Sequence, residues 1–474
     1  MHRLWDNIMP LREVVLFLTF FVSWSMCYKT PRHFPRTQTD QYTFEGLTSP
    51  ELIQRSAGLE DRSFFIVIND VHADLWFKTG SDPNQRCVNG TGTAGVFGEH
   101  VCDTPFYALD AALQATAKAF PNPDFMLYLG DAPPHNWDPH GPILMDDKDV
   151  IDSIDRVIGS LTVAYPETVP VFPILGNHDT YPEECLPLKG KARTDWLGRV
   201  GDCYKRCSGM SDDSVATFKE YGWYTESLND STTLVVMNTV YYDMMNVYVM
   251  LGGCSDRTAP DQWTWLEDQF LAARAEGKKV LLALHRPVGY YSNKIEYDFC
   301  PHDSHLLENL LVEYSDVVPV SFAGHTHRDE WRIIRDELGA PSHSIIISPG
   351  ATGYTLTNPG IRLVEWNPST GEIIGWTQLY WDIDLSNKYD YLDLRVGYRA
   401  AEEYGLLNVN ATVMADVSQD LVDDDRAFSS FYSHLYVENV EPESWTRSDR
   451  AFALCSIQHV DEAGYNKCLE ELDS

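Results

Sequence analysis

Gly324-His325-Thr326-His327 closes the apolar run Val317-Val318-Pro319-Val320-Ser321-Phe322-Ala323. The run reads as a buried strand, and the quartet sets two imidazoles, at i and i+2, on a tight turn at its end. Gly324 is expected to let the backbone turn there. Neutral imidazole is a good ligand for zinc-like metals. Alone, such a quartet suits a surface turn as well as a ligand pair. Its weight comes from four other strand-like runs that also end in potential metal ligands.

Ser63–Ile68 ends in Asn69-Asp70-Val71-His72, and Phe125–Leu129 ends in Gly130-Asp131-Ala132-Pro133-Pro134-His135. Val169–Leu175 ends in Gly176-Asn177-His178-Asp179, and Val280–Leu284 ends in His285-Arg286-Pro287. Helical patterns separate these runs: 104–120 with Thr104 as N-cap, 149–164, a helix after a Cys-bearing insertion at about 182–210, 261–275, and 306–314. In the 261–275 segment Trp263, Leu266 and Phe270 share one face. A further strand is expected at 233–237, and consecutive strands at 344–348, 361–366 and 373–381. From about 386 the chain turns acidic and helical, over roughly 414–436, 446–457 and 460–472. Alternating strand and helix predicts an α/β sheet sandwich with a C-terminal helical appendage.

Ligands at the carboxyl ends of successive strands converge on one edge of such a sheet. Asp70, His72, Asp131, Asn177, His285, His325 and His327 exceed what one tetrahedral zinc takes, so two metal ions fit better. Asp131, between the two halves of the set, is expected to bridge them. Two cations about 3.5–4 Å apart can clamp a phosphate and bring the pKa of a water between them to near 7, which is metal-assisted phosphoester hydrolysis. Taken singly, each carboxylate could cap a turn and each His could be a satisfied core residue. All five segments doing so together is improbable.

The formal net charge of −34 argues against a basic nucleic-acid groove and against an anionic membrane surface. Arg3 and Arg12 precede an apolar run, Val14–Met26, with the length of a secretory signal, and cleavage is expected near Cys27. No apolar tail follows Glu470, so neither a C-terminal span nor a glycolipid anchor signal is expected. Ten Cys, less Cys27, leave nine. The close pairs Cys87/Cys102, Cys203/Cys207 and Cys455/Cys468 are expected as disulfides. Cys185/Cys254 is a guess that leaves Cys300 over. Sequons at Asn89, Asn229 and Asn410 fit a glycosylated, secreted or acidic-vesicle product. Tyr241-Tyr242 and Tyr290-Tyr291 could stack a nucleobase, or be core or rim.

Asp70-x-His72, Gly130-Asp131, Gly176-Asn177-His178-Asp179, His285 and Gly324-His325-Thr326-His327, in that order, resemble the full calcineurin-type metallophosphoesterase signature. Gly130-Asp131-x-Pro133-Pro134-His135 is similar to the acid sphingomyelinase branch. The stretches Cys102-Asp103-x-Pro105, His285-x-Pro287-Val288-Gly289-Tyr290 and Asn358-Pro359-Gly360-Ile361-Arg362 narrow the resemblance to the acid sphingomyelinase-like phosphodiesterase 3 group. The resemblance implies a four-layer αββα sandwich at 63–385, after a signal peptide at 1–27 and a lead-in at 28–62, and before a small helical subdomain at 386–474. It implies two Zn2+, one on Asp70, His72, Asp131 and His327, the other on Asp131, Asn177, His285 and His325. His178 would stabilise the phosphoryl oxygens and His135 would protonate the leaving oxygen. The structural alternatives are that His178 only orients Asp179 and that His135 is a loop residue.

The lead-in of about 35 residues leaves no room for the saposin domain of acid sphingomyelinase, which argues against sphingomyelin. Pro134 stands where purple acid phosphatases carry the Tyr of an iron–tyrosinate centre. The expectation is a secreted, monomeric, zinc-dependent phosphodiesterase acting on small phosphoesters, nucleotides first, and not on nucleic acid duplexes. The alternatives are sphingomyelin phosphodiesterase, endopolyphosphatase, and a non-catalytic binding protein.

Overall fold

The computed structural model describes residues 42–45, 62–135, 144–207, 209–254 and 259–473. The expected signal peptide and most of the lead-in lie outside these residues. Two sheets form the centre. The first runs, in spatial order, Tyr42–Glu45, Leu392–Arg399, Glu372–Trp381, Gly360–Asn367, Ser63–Ile68, Met126–Tyr128, Val171–Pro173. The second runs Glu330–Arg335, Pro341–Ile347, Ser321–Ala323, Lys279–Ala283, Thr232–Val236, Tyr224–Ser227. Each holds a parallel core: Ser63–Ile68 pairs parallel with Met126–Tyr128, and that strand with Val171–Pro173. In the second sheet Thr232–Val236, Lys279–Ala283, Ser321–Ala323 and Pro341–Ile347 are parallel neighbours.

These strands are buried on both faces, which is why they read as unbroken apolar runs rather than alternating ones. Phe64, Phe65, Ile66, Val67 and Ile68 are all buried. The sheets meet face to face: Phe65 of the first packs edge-on against Phe322 of the second, with ring centroids 5.6 Å apart. Phe65 also stacks on Phe125 at 4.5 Å. Burying each such ring contributes about 1.5–3 kcal/mol. Helix Phe106–Ala119 lies on the first sheet, and helices Pro260–Glu276 and Pro301–Glu313 on the second. The result is the expected four-layer αββα sandwich.

Several expectations shift. Thr104 does not cap the first helix; it sits in the short strand Thr104–Pro105, and its hydroxyl donates to the Ala351 carbonyl at 2.8 Å. Among the described residues, six strands lie outside the sequence reading: Tyr42–Glu45, Ala73–Asp74, Thr104–Pro105, Tyr224–Ser227, Glu330–Arg335 and Leu392–Arg399. The last pairs with Glu372–Trp381, so the first sheet continues past residue 385. The helix expected over 414–436 is two helices, Ala411–Asp423 and Asp425–Leu435. Asp424 ends the first and caps the second through Arg426 N. The C-terminal helices are anchored to the second sheet by Trp331, whose indole N–H donates to Ser418 Oγ at 2.9 Å.

Cys87–Cys102 and Cys455–Cys468 pair as expected. Cys254 bonds Cys300, not Cys185. The expected Cys203–Cys207 bond is not among the disulfides of the described residues. Tyr241 and Tyr242 are core residues with no exposed surface, and Tyr290 stacks on Tyr465 at 3.8 Å, so these three rings are taken up by packing.

Candidate metal centre

The parallel strands of both sheets end at one edge, and the five ligand-bearing turns meet there. The turns are tied to one another by backbone bonds: Asp70 N–H to the Gly130 carbonyl at 2.9 Å, His72 N–H to the Asp131 carbonyl at 3.1 Å, and Gly324 N–H to the His285 carbonyl at 2.9 Å. Asp70, His72, Asp131, His325 and His327 all have positive φ, from +41° to +74°. Each such residue costs about 1–3 kcal/mol and persists where the surroundings force it. Gly324 is not the residue in this conformation. It is glycine because a Cβ there would lie 2.6 Å from Asp70 Oδ2. The turn expected of Gly324 is made by His325 and His327.

One half of the centre is a cluster of acceptors. His285 Nδ1–H donates to the Leu129 carbonyl at 2.7 Å, which leaves Nε2 as a lone pair. That lone pair lies 2.8 Å from Asn177 Oδ1 and 3.2 Å from Asp131 Oδ2. His325 Nδ1 lies 3.0 Å from the same Asn177 oxygen. Asn177 is held this way round because its Nδ2–H donates to Glu184 Oε1 at 2.8 Å. A proton on His325 Nε2, donated to the Tyr291 oxygen 2.6 Å away, leaves Nδ1 facing inward as a lone pair. Facing acceptors repel unless a cation sits among them. Burial lowers the His285 pKa, but the charge and hydrogen bond of Asp131 outweigh it and raise it to about 9.

The other half is built alike. His72 Nδ1–H donates to the Pro133 carbonyl at 2.8 Å, and Nε2 lies 3.1 Å from His327 Nε2 and 3.7 Å from Asp131 Oδ2. His327 Nε2 is 3.6 Å from Asp70 Oδ1, a buried oxygen with no hydrogen-bond partner. Burial, then the neighbouring His135 and His327, pulls His72 to about 3, so its lone pair is available. Burial would raise Asp70 and Asp131, yet the imidazoles around them hold both carboxyls below the usual range. Orphaned carboxylate oxygen, converging imidazole nitrogens and an amide oxygen make a donor set that suits divalent cations. Asp131 is the member within reach of both halves.

His135 and His178 border the His72 half, with ring centroids 3.8 and 4.7 Å from that of His72. Asp103 holds His135. Glu183 Oε1 lies 3.0 Å from His178 Nδ1, and burial pushes the Glu183 carboxyl up to about 8. Asp179 is not oriented by His178; it accepts from the N–H groups of Gly176, Asp131 and Ala132. Tyr354 stacks on His135 at 4.1 Å and 15°. Sequence reading found none of these supports. Asp103 stood in a quoted motif without a role, and Glu183, Glu184, Tyr291 and Tyr354 carry no spacing signal.

A calcineurin-like phosphoesterase family model matches residues 65–329. A model of the acid sphingomyelin phosphodiesterase C-terminal region matches residues 342–473. Sphingomyelin phosphodiesterase A of Dictyostelium discoideum is 27% identical over 440 residues, covering 90% of this chain and 71% of that protein. Cyclic GMP-AMP phosphodiesterase SMPDL3A of Homo sapiens is 24% identical over 420 residues, covering 85% of this chain and 89% of that protein. Acid sphingomyelinase-like phosphodiesterase 3b of Homo sapiens is 26% identical over 425 residues, covering 85% and 89%.

Proposed function

The chain belongs to the calcineurin-like phosphoesterase family, and from that premise we propose that it is a secreted, zinc-dependent phosphodiesterase acting on nucleotides or related small phosphoesters. The observation that carries this reading is the approach of His285 Nε2, Asn177 Oδ1 and Asp131 Oδ2 to within 2.8–3.2 Å, with two further imidazoles and Asp70 on the far side of Asp131. One zinc would lie with Asp70, His72, Asp131 and His327, the other with Asp131, Asn177, His285 and His325. When bound, such ions polarise the phosphoryl oxygens and acidify the attacking water.

The protein groups do the rest. Asn177 is fixed by Glu184, so its oxygen rather than its amide hydrogen faces the centre. His178, beside the His72 half, would hold a phosphoryl oxygen, with Glu183 on its other nitrogen. His135 carries a proton on Nδ1 toward Asp103 and presents Nε2 to the leaving oxygen. Burial, with the charge of His327, holds the His135 pKa well below the ordinary value.

The nucleotide reading is supported by the relative named cyclic GMP-AMP phosphodiesterase, most of whose length this chain covers. Sphingomyelin remains the second reading, because another relative is named for it. Secretion is supported by three disulfides and three sequons. Among the described residues no helix is long and apolar enough to cross a membrane. Turnover of ATP, polyphosphate and sphingomyelin by one preparation, alongside Asp131→Asn, tests the proposal. ATP is expected to be turned over fastest, and Asp131→Asn to abolish turnover of all three. Faster sphingomyelin turnover would favour the second reading, and turnover surviving in Asp131→Asn would overturn the dimetal mechanism.

A further inference from the structure

Arg86 stands beside the proton-donating His135. Its Nη1 donates to the His135 carbonyl at 2.7 Å and lies 3.5 Å from the Tyr354 hydroxyl. The guanidinium carbon is 5.5 Å from the centre of the Tyr354 ring, the ring that stacks on His135. Two covalent neighbours fix this position. Arg86 precedes Cys87, Cys87 is bonded to Cys102, and Cys102 precedes Asp103, the carboxylate that holds His135. Arg86 and Cys87 both have positive φ, +53° and +58°, so the backbone here is turned in a way most residues avoid.

The charge of Arg86 is felt by the Asp103 and Glu183 carboxyls, but it is not neutralised by a direct ion pair. Among the described residues it forms no ion pair, and its Nη2 and Nε donors have no hydrogen-bond partner. Arg286, another guanidinium close to the centre, is buried and bound to Asp243 and Asp298, each at 2.7 Å. A chain of net charge −34 thus keeps a half-exposed guanidinium with no carboxylate in direct contact on the leaving-group side of its site. A guanidinium with open donors in a fixed fork matches a phosphate oxygen pair.

We propose that Arg86 binds a second anionic group on the departing portion of the substrate. It would select phosphoanhydrides and phosphodiesters whose leaving group carries a phosphate, as in a nucleoside polyphosphate, over those with an uncharged leaving group. This rests on the phosphodiesterase reading above and on the placement of His135 at the leaving oxygen.

The test compares ATP with bis(p-nitrophenyl) phosphate, whose leaving group bears no second phosphate. Wild type, Arg86→Gln and Arg86→Lys are assayed on both, with metal content and melting temperature measured on each protein. Arg86→Gln is expected to lower kcat/KM for ATP by about tenfold or more, the worth of a charge-assisted hydrogen bond. Its kcat/KM for the nitrophenyl ester should stay within about threefold, and Arg86→Lys, which keeps charge but not the fork, should fall between on ATP. Equal losses on both substrates, or no loss on ATP, would overturn the assignment of Arg86 while leaving the phosphodiesterase reading intact. A wild type that turns over neither substrate overturns both.

Discussion

Asp103 accepts two hydrogen bonds from His135, one from Nδ1 at 2.6 Å and one from the backbone N–H at 2.8 Å. Both ends of the carboxylate are therefore committed to one residue, and the imidazole is fixed in tautomer and direction. Burial pushes the Asp103 carboxyl up to about 6.

Asp103→Asn keeps the shape and removes the charge. The new amide would point an N–H at His135 Nδ1, force the other tautomer and disfavour the imidazolium. Turnover of a substrate with an alkoxide leaving group should fall about 10²-fold, in the range of general acid catalysis. A nitrophenolate leaving group needs no proton, so its loss should be much smaller. Equal losses on the two leaving groups would mean that Asp103 serves only structure.

Glu184 acts on Asn177 through one 2.8 Å hydrogen bond. With Glu184→Ala the amide is free to turn its N–H toward the centre, where it would repel a cation. Affinity for the second metal equivalent should weaken about 10–100-fold, as for other groups that orient ligands, with the first equivalent little changed. Calorimetric metal titration separates the two sites. Unchanged binding at both would refute the orienting role.

His434 lies between Glu438 Oε1 at 2.5 Å and Glu403 Oε1 at 3.4 Å, in the C-terminal helices. Burial lowers its pKa, but the hydrogen bonds to Glu403 and Glu438 outweigh this and raise it from 6.5 to about 9. A raised imidazole pKa stabilises the fold fully below pH 6.5, and the gain is lost as pH rises through 9. His434→Gln should therefore cost about 2–3 kcal/mol at pH 6 and much less at pH 9.5. Denaturant unfolding at the two pH values checks this; the same cost at both would contradict it.

The Cys254–Cys300 bond closes a 46-residue separation, longer than the 15 and 13 of the other two. Chain-entropy arguments give it the largest stabilisation of the three, about 4 kcal/mol at most. Non-reducing peptide mapping should recover the Cys254–Cys300 crosslink. The double Ser variant should lose more melting temperature than the double variant at Cys455 and Cys468. A Cys185–Cys254 crosslink would contradict the pairing.

The ligand turns were legible because each combines two strong signals, an unbroken apolar run and a polar ligand at its end. Glu330–Arg335 escapes sequence reading because charged Glu330 and Arg332 break any apolar run. They are buried as an ion pair 3.0 Å apart, a tertiary arrangement no local pattern announces. Leu392–Arg399 was missed because its strand alternation lies within an acidic stretch taken for helix. Cys254 and Cys300 lie too far apart in sequence for spacing to join them. Glu183, Glu184 and Tyr291 gain their roles only when distant loops meet, and no glycine at His325 or His327 announces the positive φ found there.

The most direct test is zinc titration of the chelator-stripped protein while following hydrolysis of bis(p-nitrophenyl) phosphate. A centre shared through Asp131 should bind two equivalents, with turnover appearing only as the second fills. Turnover in the stripped protein, or a preparation that binds no zinc-like ion at all, would contradict it.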